Sequence, residues 1–296
     1  MYLFSLPNTK NLAKKIYPKT KFNLGEYDKK LFSNGEIYLQ IKNRVRGKTV
    51  HILGSTYLPH DNLIEFLILI NALKENGAKK ITAIIPYFSY ARQDKIDQPG
   101  SPIAAKLIAG LFKKAGVNQF VTIDIHSKRN QKFLGPDLTN LNPLNMFADH
   151  IRKNISLTNT IIVAPDNGAK PRAKKLAKLL NNLPVLVLQK TRPKQNVAKI
   201  LEFKKNIAGK NIIMTDDMID TAGTITAACQ QLKRHKVKNI HIFATHGILS
   251  DPAIKRIQKA PIKKVIITDT YPIPKAKQIK KIKILPITPL LIKHFK

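Results

Sequence analysis

The segment Asn211-Ile-Ile-Met-Thr-Asp-Asp-Met-Ile-Asp-Thr-Ala-Gly-Thr224 constrains the fold of this chain more than any other. Ile212, Ile213 and Met214 form a short apolar run followed by turn signals, the pattern of a parallel strand covered on both faces. Asp216 and Asp217 are expected at its carboxyl end, where open α/β sheets place their ligand sites. Asp220-Thr-Ala-Gly-Thr224 then leads, through a flexible Gly223, into the helical run Ile225–Arg234. A loop of this kind presents free backbone N–H groups and a helix N-terminus to an anion. Taken singly, each part has a structural account. An Asp at a strand end caps the next helix, and a glycine relieves a turn. A cap needs one Asp, however, and this segment has three. The whole string therefore reads as carboxylates for sugar hydroxyls or Mg²⁺ beside a cradle for phosphate, a pairing that suits a phosphorylated sugar.

The same strand-then-helix rhythm runs along the chain and implies a mainly parallel sheet in each half. Strands are expected at Thr49–Leu53, Ile81–Ile85 and Phe120–Ile125 in the first half. In the second they fall at Ile161–Ala164, Val185–Leu188, Ile212–Thr215, Ile240–Ala244 and Val265–Thr268. Helices are expected at Asp61–Asn76, with Asp61 as N-cap and Gly77 as the stop, and at Ile103–Ala115, opened by Pro102 and closed by Gly116. Further helices are Ala169–Leu180, Ile225–Arg234 and Ala253–Lys259. Gly135–Pro143 is the best linker, which gives domains 1–142 and 143–296. The apolar end Ile284–Phe295 is expected to pack back onto the body. The halves share the rhythm without obvious sequence repetition.

At 296 residues the chain has material for two cores. Its apolar stretches are too short or too interrupted to span a bilayer; Leu63–Leu73 contains Asn71 and reads as a buried helix. Met1–Pro7 lacks the basic region and cleavage site of a signal peptide. Cys229, the lone cysteine, has no internal disulfide partner and reads as a small core residue. These features point to a cytoplasmic protein. The net charge of +34 raises nucleic-acid binding. The lysines are scattered over the polar positions of helices and the ends of loops, with no aromatic-basic stripe and no zinc pattern. No specific nucleic-acid partner and no membrane partner is expected; loose attraction of polyanions would carry no sequence specificity.

Four other strings stand at predicted strand ends or in loops: Phe32-Ser-Asn-Gly-Glu36, Pro86-Tyr-Phe-Ser-Tyr-Ala-Arg-Gln-Asp94, Asp124-Ile-His126, and Ala164-Pro-Asp-Asn-Gly-Ala169 followed by Arg172. Each alone has a bland reading: Asn-Gly is first a turn signal, and a Tyr-rich turn or a single His after a strand is more often structural. Their order and spacing carry the weight. The Asp216–Thr224 string resembles the binding loop of type I phosphoribosyltransferases and of ribose-phosphate pyrophosphokinases. All five strings together, with Leu3-Phe-Ser-Leu6 and Thr245-His-Gly-Ile-Leu-Ser250, resemble the pyrophosphokinase family over almost the full chain. Ordinary phosphoribosyltransferases would not explain Arg92-Gln93, Phe32–Glu36 or the length.

The resemblance implies an α/β fold of two type I phosphoribosyltransferase-like domains, each a mainly parallel sheet flanked by helices. It implies transfer of a diphosphoryl group from ATP to ribose 5-phosphate, with Mg²⁺ as cofactor. ATP-binding roles fall on Phe32, Asn34, Gly35, Glu36, Arg92 and Gln93, Phe32 stacking on adenine and the Arg92 fork pairing with phosphate oxygens. Metal-associated roles fall on His126 and Asp166; a His ligand is unusual for so hard an ion, so His126 also, or instead, meets ATP phosphate. Ribose 5-phosphate falls to Asp216, Asp217, Asp220, Thr221, Ala222, Gly223 and Thr224, with Arg192. Lys190-Thr-Arg192 resembles the family's catalytic loop, two cations suited to dispersing charge on transferring phosphates. The family assembles as homo-oligomers built from dimers, up to hexamers, in which a neighbouring subunit completes the ATP site.

The chain departs from the family in three places. Asn34 replaces the usual Asp, which removes a charge near the nucleotide. Lys128-Arg-Asn-Gln-Lys132 is more basic than the usual Gln-rich stretch. Lys95–Ser101 lacks the Arg-Ser-Arg that binds regulatory phosphate, so control by phosphate and ADP is expected to be weak or absent. Competing readings are a phosphoribosyltransferase, a catalytically inactive regulatory homologue and, from charge alone, a nucleic-acid-binding protein.

Overall fold

A computed structural model describes residues 1–188 and 206–296. The chain divides into two compact units, Met1–Asn142 with Ile287–Lys296, and Pro143–Pro286. In the first, β1 (Tyr2–Ser5) and β2 (Asn23–Leu24) flank α1 (Lys10–Ile16), and a hairpin of β3 (Tyr27–Leu31) and β4 (Ile37–Ile41) follows. Then come β5 (Thr49–Leu53), α2 (Asp61–Glu75), β6 (Lys80–Ile85), α3 (Ala104–Ala115), β7 (Gln119–Ile123), α4 (Lys128–Leu134) and β8 (Leu138–Leu141). The second unit contains α5 (Leu144–Asn154), β9 (Thr160–Ala164), α6 (Lys170–Leu179), β10 (Val185–Val187), β11 (Asn211–Ile219), α7 (Gly223–Arg234), β12 (Asn239–Gly247), α8 (Ala253–Lys259), β13 (Lys264–Thr268) and β14 (Ile282–Leu285). The closing helix α9 (Thr288–Phe295) belongs to the first unit.

Each unit holds a six-stranded parallel sheet, ordered β2-β1-β5-β6-β7-β8 in one and β10-β9-β11-β12-β13-β14 in the other. Renumbered within its own sheet, each order is 2-1-3-4-5-6, so the two halves repeat one topology that their sequences hide. The order reverses between β1 and β5 in one sheet and between β9 and β11 in the other. Such switch points open a crevice at the carboxyl ends of the strands.

Alternation along the strands sends successive residues to two different cores, which is why these strands read as near-continuous apolar runs. In the first unit Phe4, Ile52, Ile81, Ala83, Ile85 and Phe120 pack with residues of α2 and α3. Their neighbours Leu3, Leu53, Ile84, Val121 and Ile123 pack on the other face with α1 and α9. In the second unit Ile161, Val163, Ile212, Met214, Ile240 and Ile242 face α7 and α8, whereas Ile162, Ala164, Ile213, Phe243 and Ile266 face α5 and α6. Helix α3 buries Ala105, Ile108, Ala109 and Phe112, one stripe at helical spacing. Cys229 is fully buried in the core under α7.

The helix stops follow the expected chemistry. Gly77 (φ +80°) ends α2, its amide bonding the Lys74 carbonyl while the Ala78 amide reaches Leu73. Gly116 (φ +126°) ends α3 in the same way, with Gly116 bonding Lys113 and Val117 bonding Phe112. Other expectations are corrected. The N-cap of α2 is His60, and Asp61 is the first helical residue, where its charge still complements the helix dipole. The supposed linker Gly135–Pro143 contains β8, which pairs with β7 as the edge strand of the sheet. The last segment, from Ile287 on, lies with the first unit rather than with residues 143–286, because Ile287 and Leu291 complete its second core. Val185–Leu188 shortens to β10, and β11 runs past Thr215 to Ile219.

Candidate functional site

The first unit gathers its polar strings at the carboxyl ends of adjacent strands. The loop after β6 carries Arg92, exposed, and Gln93, partly buried; the loop after β7 carries His126, exposed. Ser89 ties the β6 loop to the β5 loop, its hydroxyl donating to the Thr56 carbonyl at 2.6 Å and its amide donating to the Thr56 hydroxyl oxygen at 2.7 Å. Tyr90 sits at φ +63°, its hydroxyl 2.7 Å from His60 Nδ1. Asp94 and Asn130, both buried, and Ser127 connect the β6 loop with the start of α4.

The Phe32–Glu36 string is the tip of the β3–β4 hairpin and is exposed throughout. Gly35 (φ +88°) makes the turn, the Asn34 side chain accepts from the Glu36 amide at 3.1 Å, and the Phe32 ring meets Tyr38 edge-on at 5.8 Å. The contacts that shape this tip lie within the hairpin. The hairpin itself is anchored by a group the sequence reading missed: buried Glu65 on α2 accepts from Lys29 Nζ at 2.6 Å and from the Tyr27 hydroxyl at 3.4 Å. Burial, and then the Glu65 charge, pushes the Tyr27 hydroxyl far above its ordinary value.

In the second unit, β11 pairs with β9 only through Met214 but with β12 through Ile219. Asp216 and Asp217 therefore stand in the carboxyl-terminal part of a strand that has outrun one neighbour, at the switch point of the sheet. Asp216 Oδ1 accepts from the Asp217 amide and Asp217 Oδ1 from the Met218 amide, each at 2.9 Å. Burial, and then the Asp217 charge, raises Asp216 to about 7, while Arg172 on α6 pulls the other way. On β9's side of the crevice, Asp166 Oδ1 accepts from the Ala169 amide at 3.1 Å, shaping the turn into α6.

The loop after β11 turns on Ala222, not on the glycine. Ala222 is buried at φ +60°, a left-handed conformation that costs a non-glycine residue on the order of 1 kcal/mol. Gly223 begins α7 and leaves room instead: a Cβ there would stand 3.3 Å from Arg256 Nη1. Arg256, on α8, donates to the Thr221 carbonyl at 3.0 Å. Thr221 and Thr224 expose their hydroxyls, and the first amides of α7 have no partner within the helix. Tyr271, after β13, is raised by burial and then by Asp220, which places it beside the loop. Arg256 and Tyr271 carry no local signal in a lysine-rich sequence; the fold supplies them.

His126 belongs to the first unit and Asp166 to the second. Among the described residues no group of three or more His, Cys, Asp or Glu side chains converges as a metal cage. Asp166, Asp216 and Asp217 are hard oxygen donors on adjacent strand ends, the ligand type that suits Mg²⁺ carried in on substrate phosphates. Lys190 and Arg192 lie outside the described residues. No helix among the described residues is long and apolar enough to cross a membrane.

Comparison with known proteins settles the family. Residues 1–116 match the N-terminal domain of ribose phosphate pyrophosphokinase, and residues 172–296 the phosphoribosyl synthetase-associated domain. The ribose-phosphate pyrophosphokinase of Oceanobacillus iheyensis is 40% identical over 98% of this chain and 91% of its own length. The chain belongs to the ribose-phosphate pyrophosphokinase family. Its relative from Aquifex aeolicus is 42% identical over 83% of this chain and 79% of its own. The crystal structure of phosphoribosylpyrophosphate synthetase from Mycobacterium smegmatis superposes with a TM-score of 0.89 at 35% identity, covering 99% of this chain and 97% of that one. The two units are thus the two phosphoribosyltransferase-like domains of a ribose-phosphate pyrophosphokinase, a family of kinase-type transferases in nucleotide biosynthesis.

Proposed function

We propose that the chain transfers the β,γ-diphosphoryl group of ATP to the 1-hydroxyl of ribose 5-phosphate, giving 5-phosphoribosyl 1-diphosphate and AMP. The observation that carries this reading is the β11–α7 element. It combines a carboxylate pair at a switch point with exposed threonine hydroxyls and unpartnered helix amides, which suits a sugar hydroxyl face joined to a phosphate.

Ribose 5-phosphate rests with its phosphate on Thr221–Thr224 and the α7 amides, and with its hydroxyls on Asp216, Asp217 and Asp220. ATP uses Arg92 and Gln93 for phosphate, with Phe32, Asn34, Gly35 and Glu36 for the base end. The sugar O1 attacks the β-phosphorus in line and gives up its proton to water; the bond from that phosphorus to the oxygen bridging the α-phosphorus breaks, and AMP leaves with that oxygen. Asp166 and His126 are the residues that would hold Mg²⁺ or meet the phosphate it carries, and the ion would supply charge neutralisation. Lys190 and Arg192 spread the developing charge over the transferring phosphates, Arg192 also touching ribose 5-phosphate. Catalysis then consists of positioning and electrostatics. The protein works in the cytoplasm as a homo-oligomer of dimers; exposed Leu31, Phe32 and Tyr38 on the hairpin support a partner surface there.

The test supplies ribose 5-phosphate, Mg²⁺ and several nucleoside triphosphates and follows nucleoside monophosphate by chromatography. AMP formed in step with 5-phosphoribosyl 1-diphosphate is the expected result. Pyrophosphate released with a nucleobase, and no AMP, would move the assignment to a phosphoribosyltransferase. Lys190→Ala is expected to cut turnover by about 10²-fold or more, with little change in ribose 5-phosphate binding. Near-normal turnover would remove this lysine from the mechanism.

A further inference from the structure

Arg92 and His126 stand on separate loops, after β6 and after β7, and are both exposed. The backbone beneath them is fixed from three sides. The Ala91 carbonyl accepts from Asn130 Nδ2 at 2.7 Å. The Gln93 carbonyl accepts from the Ala105 amide at 3.2 Å, at the start of α3. The Asp94 carboxylate accepts from the Ser127 hydroxyl. Residues 91, 93 and 94 are thereby held, and Arg92 is bracketed between them. Ser127 directly follows His126 and caps α4.

Ser127 is the hub. Its hydroxyl gives its proton to Asp94, and its oxygen accepts from the Asn130 amide at 3.2 Å and from Asn130 Nδ2 at 3.1 Å. One donor and two lone pairs are all that a hydroxyl has, so this group is saturated. Asp94 is 6% exposed and Asn130 1% exposed. A charge-assisted bond in such surroundings is strong when made and costly when broken. Two buried cross-links therefore join the loop that offers Arg92 to the loop that offers His126.

We propose that Asp94, Ser127 and Asn130 are positioning residues that set the spacing between Arg92 and His126 and so tune affinity for the polyphosphate of ATP. The proposal rests on the reading that ATP binds the first unit through Arg92. It predicts an effect on one substrate only, because the cross-links lie within the first unit.

The experiment measures KM for Mg·ATP and for ribose 5-phosphate, together with binding of a non-hydrolysable ATP analogue and thermal stability, in Ser127→Ala, Asn130→Leu and Ser127→Thr. Ser127→Ala and Asn130→Leu are each expected to weaken nucleotide KM and analogue binding about tenfold, the scale of one lost charge-assisted or buried hydrogen bond. KM for ribose 5-phosphate is expected to stay within about twofold, and Ser127→Thr, which keeps the hydroxyl, to stay within about twofold of the parent in every measure. Should one truncating variant fail to fold, the other removes the second of the two cross-links between the same loops. Folded variants with unchanged nucleotide affinity, or with both substrates weakened equally, would reduce the network to a structural role and overturn the proposal. A parent protein that binds no nucleotide at all would remove the ATP reading as well, which separates the two failures.

Discussion

Burial and the neighbouring Asp217 carboxylate hold a proton on Asp216 up to about pH 7, against the pull of Arg172. The unfolded chain gives that proton up near the ordinary value of 3.8. Between these limits the folded state binds the proton and the unfolded state does not, so stability falls as pH rises from about 4 to about 7 and then levels off. Asp216→Asn is expected to raise stability near pH 8 by on the order of 1–2 kcal/mol, since water still reaches this partly buried group, and to change little near pH 4. Urea unfolding at the two pH values checks this; an equal effect at both would mean that Asp216 is already ionised. The three aspartates are legible in the sequence as a cluster, because a cap needs only one. The strain on Ala222 is not legible, since glycine next door is the residue that ordinarily takes a left-handed turn. Arg256 packs against this turn, donating to the Thr221 carbonyl and standing beside Gly223.

At the scale of elements, apolar periodicity finds the strands buried on both faces and the helices α2 and α3, whose stops are glycines in left-handed conformation. It does not find the β3–β4 hairpin. In β3, Asp28, Lys29, Lys30 and Leu31 are all exposed, so that strand leaves no period of two, and the alternation in β4, with Ile37, Leu39 and Ile41 half-buried, covers one short strand only. Helix α5 does carry the spacing, in Leu144, Phe147, Ala148 and Ile151, but Pro136 and Pro143 just before it draw the reading toward a linker. The hairpin is held to α2 by Glu65, whose side chain is 5% exposed against 35% for Lys29. That asymmetry makes the two partners unequal. Lys29→Met strands a buried carboxylate and is expected to cost about 2 kcal/mol, while Glu65→Leu with Lys29→Met should recover most of the loss. Equilibrium unfolding of the single and double variants measures the coupling, and additive losses would show that the pair contributes nothing.

The whole molecule is one topology used twice, with a difference in how each sheet is covered. In the second unit α5 and α6 cover one face, while in the first the corresponding cover is completed by α9, from the far end of the chain. Ile287 and Leu291 are fully buried there, and Phe295 packs on Phe22 at 5.2 Å and on His51 at 5.6 Å. Ending the chain after Pro286 is expected to destabilise the first unit by on the order of 3–6 kcal/mol, two buried aliphatic side chains' worth, and to uncover Leu3, Ile16 and Val121. An unchanged denaturation midpoint in the truncated protein would show that α9 is dispensable. The sequence by itself determined the fold class, the family and the strings proposed to bind substrate, because those depend on short-range order: apolar runs, glycine stops, carboxylates a few residues apart. Only the tertiary structure decided which residues hold those strings in place. Asp94 with Ser127, Glu65 with Lys29, and Arg256 with Thr221 are pairs separated by 33, 36 and 35 positions. They meet because tertiary packing sets elements distant in sequence side by side: two loops in the first pair, a helix and a hairpin in the second, a helix and a loop in the third. No local pattern records such a meeting.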